Sequence, residues 1–241
     1  MGNPTRRHVL LAALGALAGL TDVHGGLTQA QAGESKVYVF AVTGIRPHIL
    51  QKMLEAALPG VSVTVFGRVG DFSRALESAP PDAALAATPV LRAFNLEAHV
   101  QGLKHGSPVE DYLVLSESEI SQDKLAGTTI GCLDLMGRKA LPAFVAGLLG
   151  LPREPEIQRV TKTEDLLQLL QFKRAEAILI PEGFLGDLQA RTKMELKILR
   201  LPSAKVLRVA IAFPGNRQAV ESAVRALPAS VIEHLGVDQW R

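Results

Sequence analysis

A single cysteine, Cys132, sets the first limit on this chain of 241 residues: no disulfide can form within it, so an apolar core must hold the fold. Metal chemistry is equally poorly provided for. The six histidines stand at positions 8, 24, 48, 99, 105 and 234 and none pairs at H-x-x-x-H spacing. Neither H-x-E nor C-x-x-C occurs, and no Ser-His-Asp or Cys-His spacing points to nucleophilic catalysis. The expectation is therefore a protein without metal, cofactor or catalytic residues, and not an enzyme. Charge of one sign is also lacking. With 26 Lys+Arg against 24 Asp+Glu, interspersed along the chain, the net charge is +2, and the concentrated basic face of a nucleic-acid binder is missing. Aromatics make up only 5%, but 47% of residues are hydrophobic, which suffices for a sizeable core.

Long hydrophobic runs are scarce too. After Arg6-Arg7 comes HVLLAALGALAGL, an uncharged run of about thirteen residues, well short of the roughly 20 that span a bilayer. Ala30-Gln31-Ala32 then supplies a small-x-small cleavage pattern. The order T-R-R-H-V-L-L resembles a twin-arginine export signal, with a general secretory signal as the alternative. Residues 1–32 are expected to be a signal peptide cleaved near Ala32, giving a periplasmic protein. No cysteine follows the run to carry a lipid anchor.

What is present is organised around Leu125 to Pro152. The β-branched run Thr128-Thr129-Ile130 leads to a break at Gly131 to Gly137. Leu141, Phe144, Val145, Leu148 and Leu149 then recur at the i, i+3, i+4, i+7, i+8 spacing of an amphipathic helix. Gly150 and Pro152 stop it. Strands are expected at 36–42, 61–66, 82–87, 111–115, 157–160, 175–180, 196–201 and 206–213, with helices between them, including one whose cap is Thr163. This β-α-β-α-β order predicts parallel sheets with covering helices. Connections near 110–116 and 202–206 divide a middle segment from two flanking ones.

Within that order, SESEISQDKLAGTTIGCLDLMGRKALPAFV resembles the second-lobe opening of type II periplasmic solute-binding proteins, and more narrowly the phosphate, phosphite and phosphonate-binding group of ABC transporters. VTKTEDLLQLLQFKRAEAILI is similar to that family's helix-turn-strand, although Lys173 to Ala177 replaces the usual glycine and aspartate of the turn. LRVAIAFPGN resembles the return strand to lobe one. The resemblance implies an α/β, two-lobe type II periplasmic-binding-protein fold, each lobe a mostly parallel sheet with flanking helices, joined by two hinge strands. It places lobe 1 at 33–114 and 204–241 and lobe 2 at 115–203. It implies a monomeric, exported protein that captures a small ligand between the lobes and delivers it to a membrane permease or a sensor. An accessory periplasmic role, or an enzyme on the same scaffold, is the alternative.

Ligands of open α/β sheets bind at the carboxyl ends of the strands. The residues expected there are Thr43, Gly44, Ile45 and Arg46 after the first strand, Thr88 after the third, Asp134, Leu135, Met136 and Arg138 in the central loop, and Glu182. Thr43 to Arg46 could bind an oxyanion or be a plain helix start with a solvated arginine. Thr88 and Asp134 could each equally cap the following helix. Cys132 is expected in the core, His48 on a helix surface and Trp240 packed on lobe one. The loop C-L-D-L-M-G-R holds fewer hydroxyls than the family's anion loops, so Leu133, Leu135 and Met136 predict a more apolar cleft, for an anionic or partly hydrophobic ligand.

Overall fold

Alternate residues of Lys36 to Phe40 face opposite sides and nearly all are buried, as a strand covered on both faces requires. Val37 and Val39 enter one apolar cluster, while Tyr38 and Phe40 enter another. A computed structural model describes residues 35–241. The export signal expected over residues 1–32, Ala32 included, lies outside the described residues.

The chain runs β1 (Ser35–Phe40), α1 (Pro47–Ala57), β2 (Val61–Val65), α2 (Val69–Ser78), β3 (Ala83–Ala87), α3 (Thr88–Ala93) and β4 (Ala98–Leu103). It continues with β5 (Val109–Ser116), α4 (Gln122–Leu125), β6 (Thr129–Leu133), α5 (Gly137–Leu149), β7 (Glu156–Val160), α6 (Thr163–Gln171), β8 (Ala177–Pro181), α7 (Leu185–Ala190) and β9 (Lys197–Leu207). It closes with β10 (Val209–Ala212), α8 (Arg217–Arg225), α9 (Ala229–Ile232) and β11 (Gln239–Trp240). One sheet has the order β11-β4-β10-β3-β1-β2 and the other β7-β6-β8-β5-β9.

Both sheets are mixed: β1, β2, β3 and β4 run one way against β10 and β11, and β6, β7, β8 and β9 run one way against β5. Pairing is parallel only within the βαβ units, β2-β1-β3 and β7-β6-β8. β10 pairs antiparallel to β3 and β4, and β5 antiparallel to β8 and β9. The cause is the chain path: a strand arriving from the other lobe enters its sheet from the opposite end.

β4 and β11 were not foreseen. AHVQGL lacks a β-branched run, and its pairing with β10 and β11 is purely tertiary. Gly102 is what lets β11 in, since a Cβ there would lie 2.5 Å from the Val209 carbonyl oxygen and 3.1 Å from the Trp240 ring. β9 runs on through Pro202, where the sequence suggested a connection. It is an edge strand, and its pairing with β5 slips between Asp111 and Leu113, a position where proline costs little. β5 and β9 consequently belong to the second sheet over their whole lengths. The crossings between sheets lie at 104–108 and at Arg208 alone, rather than near 110–116 and 202–206.

In the second sheet, Tyr112, Val114, Cys132 and Leu179 point to a cluster under α5. Leu113, Leu115, Leu133, Ile178 and Ile180 point to the cluster that also holds Phe40, Phe72 and Ala86. The lobes therefore share one apolar layer. Phe72 is its fully buried centre, with Phe40, Phe66 and Phe94 around it at ring-centroid distances of 5.5–5.7 Å.

Candidate ligand-binding cleft

The first wall of the cleft grows from the end of β1. Thr43 Oγ1 donates to the Ile45 carbonyl at 2.8 Å, tightening the turn, and Pro47 at the first helical position starts α1 at once. Arg46 occupies the N-cap and its side chain is exposed.

The opposite wall comes from the ends of β6 and β7. Asp134 accepts the Gly137 amide at 2.9 Å, and its other oxygen accepts Arg159 Nη1 at 2.7 Å. Gly137 has φ +76°, a left-handed conformation that glycine adopts without strain. Thr161, Lys162 and Thr163 follow β7 directly, with Lys162 as the N-cap of α6. No side chain caps that helix, so its first amides and positive dipole end are left to the cleft. Thr163, expected as the cap, is instead the first helical residue.

Between these walls lies a cleft of about 630 Å³ at the carboxyl ends of β1, β2, β6 and β7. Arg46, Lys162 and Arg191 line it, and none of the three is in an ion pair among the described residues. The acids lining it are Asp134, already engaged by Arg159, and Glu164. Unpaired charge in the cleft is therefore predominantly positive, and the hydroxyls of Thr43, Thr161 and Thr163 accompany it.

Of the residues expected at the site, Thr43, Gly44, Ile45, Arg46, Asp134 and Leu135 line this cleft together. The other four do not. Thr88 is 2% exposed, and its hydroxyl lies 2.9 Å from Gln101 Oε1 and 3.1 Å from the Arg208 carbonyl, which ties it into the crossing between the sheets. Met136 packs into the shared core. Arg138, in the first turn of α5, is exposed away from the cleft lining. Glu182 pairs with Arg200 on the surface.

The apolar character expected of the loop is thus only partly present. Leu133 and Leu135 touch the cleft while Met136 is withdrawn. Sequence reasoning missed Thr161, Lys162 and Arg191 as site residues. The stretch VTKTED carried a signal, a β-strand end followed at once by a helix start. Arg191 carried none, because only the packing of α7 brings it to the cleft. Cys132 lies behind the wall, and burial pushes its thiol up to about 12, with the neighbouring Asp134 carboxylate adding to the effect.

No protein-family model matches the chain, and no curated protein matches it. Solved structures do. It superposes on XAC2383 from Xanthomonas citri bound to ATP with a TM-score of 0.62 at 13% identity, covering 86% of this chain and 90% of that one. This is the type II periplasmic-binding-protein fold. The substrate-binding protein of an amino acid ABC transporter matches with a TM-score of 0.53 at 16% identity, over 84% of this chain and 92% of that one. The VFT2 domain of BvgS from Bordetella pertussis matches with a TM-score of 0.52 at 12% identity, over 84% and 91%. The three neighbours share the two-lobe architecture with this chain.

Proposed function

We propose that the protein is an exported solute-binding protein that captures a small organic or inorganic oxyanion in the cleft between its lobes and hands it to a membrane partner. One observation carries this reading: Arg46, Lys162 and Arg191 converge unpaired on a 630 Å³ cleft at the uncapped start of α6. Cations and a helix N-terminus around three hydroxyls are a recognition set for carboxylate, phosphate or phosphonate oxygens. The arginine-led apolar run after Arg6-Arg7 supports export to the periplasm, by the twin-arginine or the general secretory route. Closure of the lobes about the crossings at 104–108 and Arg208 then buries the ligand, and the monomer presents the closed form to its partner.

The likeness to the substrate-binding protein of an amino acid ABC transporter supports a permease as that partner. The likeness to the BvgS VFT2 domain supports a sensor as the second reading. Binding rather than turnover is the activity proposed in both.

The test is a thermal-shift panel of inorganic phosphate, methylphosphonate, acetate and 3-phenylpropionate, followed by calorimetry on any hit. A bound ligand raises the melting temperature by mass action and makes the particle more compact in small-angle scattering. No shift with any of these anions would sink the oxyanion reading.

A further inference from the structure

The cations of the cleft are divided between its two walls. Arg46 follows β1 of one sheet, whereas Lys162 follows β7 of the other. Each is the N-cap residue of its helix, Arg46 of α1 with 11 residues and Lys162 of α6 with 9. An N-cap ordinarily carries Ser, Thr, Asp or Asn, whose oxygen binds the free amides behind it. A cation there caps nothing and is repelled by the positive dipole end of its own helix. Both side chains are exposed, and neither is in an ion pair among the described residues. Opposite walls of the cleft therefore carry the same arrangement: a helix start without a side-chain cap, and a free cation beside it.

Arg191 is placed differently. It also lines a narrow recess of about 50 Å³ together with Glu164 and Asp187. Neither acid is in an ion pair among the described residues, so both carboxylates temper the charge of Arg191. Lys162 does not line that recess, and the wall that carries Arg46 contributes no acid to the cleft. Asp134, on the wall of Lys162, is engaged by Arg159. The cations that no carboxylate offsets are Arg46 and Lys162, one on each wall.

This division bears on closure. As the lobes close, both cations leave bulk water and approach one another. Burying an unpaired charge costs far more than burying a paired one. A ligand with one anionic group pairs with one wall and leaves the opposite cation unpaired. A ligand with two pairs with both.

We propose that the natural ligand is an organic dianion with its oxyanions at opposite ends, one held by Arg46 at the start of α1 and the other by Lys162 at the start of α6. The inference rests on the oxyanion reading of the cleft and narrows it to a substrate class, of which the linear dicarboxylates are the simplest members. The cleft of about 630 Å³ lies within the range of small-molecule sites and has room for the carbon chain between the two groups.

The experiment is calorimetry at about pH 7.5, where carboxylates are ionised, on malonate, succinate, glutarate and adipate, each against its own monoamide. A monoamide keeps the length of the diacid and removes one charge. Wild type is expected to bind the best diacid at least about tenfold more tightly than its monoamide, the weight of one charge-assisted contact. Small-angle scattering is expected to show compaction with that diacid. In Arg46→Ala and in Lys162→Ala, both at exposed positions whose side chains cap nothing, the advantage disappears. Equal affinity of diacid and monoamide in wild type, or an advantage that survives either substitution, would overturn the proposal. So would binding of 4-aminobutyrate as tight as that of the best diacid, because its ammonium would assign Glu164 and Asp187 to a ligand cation. Failure of every dicarboxylate while acetate or inorganic phosphate binds would remove the dianion and leave the oxyanion reading standing. If no anion binds at all, the oxyanion reading itself falls, and this inference with it.

Discussion

Asp134 and Arg159 form an ion pair at 2.7 Å that joins the end of β6 to β7, with both side chains largely shielded from solvent. The same carboxylate holds the Gly137 amide, so its hydrogen-bonding capacity goes into the wall of the cleft. A conspicuous acid of the central loop is thus a positioning residue, and the neighbouring cations are left uncompensated. Asp134→Ala removes the amide contact and leaves Arg159 without its partner. A loss of about 1–3 kcal/mol in urea or thermal unfolding is expected, with Asp134→Asn retaining part of the stability because its amide oxygen still accepts from Gly137. An unchanged unfolding midpoint in Asp134→Ala would show that the loop does not depend on this pair.

The three cleft cations make a graded prediction. Arg46→Ala, Lys162→Ala and Arg191→Ala each weaken the best oxyanion of the thermal-shift panel, by about three- to tenfold, as solvent-exposed charge contacts do. Wild-type affinity falls as ionic strength rises, since the charges are open to the solvent. Arg138→Ala, on the far side of α5, leaves affinity unchanged. Calorimetry at two salt concentrations reads all of these, and an effect of Arg138→Ala equal to that of Arg46→Ala would contradict the geometry.

Cys132 is buried, with its thiol pushed up to about 12. The native protein is expected to react with a disulfide reagent such as DTNB only at the rate of its unfolding, and rapidly in denaturant. Fast stoichiometric labelling of the folded protein at neutral pH would refute this placement.

Glu110 is expected to titrate above the ordinary 4.5 because burial outweighs the attraction of Arg208 and Lys104. The folded state then favours the protonated carboxyl, so the stability this group contributes is complete below its unfolded pKa and is lost as pH rises through the folded one. Side-chain carboxyl NMR gives the midpoint directly. Arg208→Gln should raise it further, and a Glu110 midpoint at or below 4.5 in wild type would reverse the sign.

Gly131 sits where α6 crosses β6, and a Cβ there would lie 2.7 Å from Leu169 Cδ1 and 3.0 Å from Ile178 Cγ2. Gly131→Ala is expected to cost about 1–3 kcal/mol through overpacking, read as a lowered melting temperature.

The strands and helices that carry their own periodicity were legible in the chain. The buried run of β1, the β6-loop-α5 unit and the leucines of α6 emerge from spacing alone, because burial on a fixed face forces a fixed period. Six of the ten residues expected at the site line the cleft, since strand-to-helix loops in parallel units end at the same edge. β4 and the continuity of β9 through Pro202 were not legible, because neighbouring strands rather than local preference decide them.

The sequence by itself determined the kind of fold, the absence of a disulfide, and a strand-loop-helix unit at the centre of one lobe. Only the tertiary structure decided which charges are free. It spent Asp134 on Arg159, Glu182 on Arg200 and Thr88 on the crossing at Arg208, and it carried Arg191 from α7 to the side of Arg46 and Lys162. The physical reason is that a side chain's availability depends on its partners in space, and these partners lie up to 120 positions away along the chain. Leu125 to Pro152 accordingly supplies the wall of the cleft, whereas the recognition of an anion falls to residues outside it.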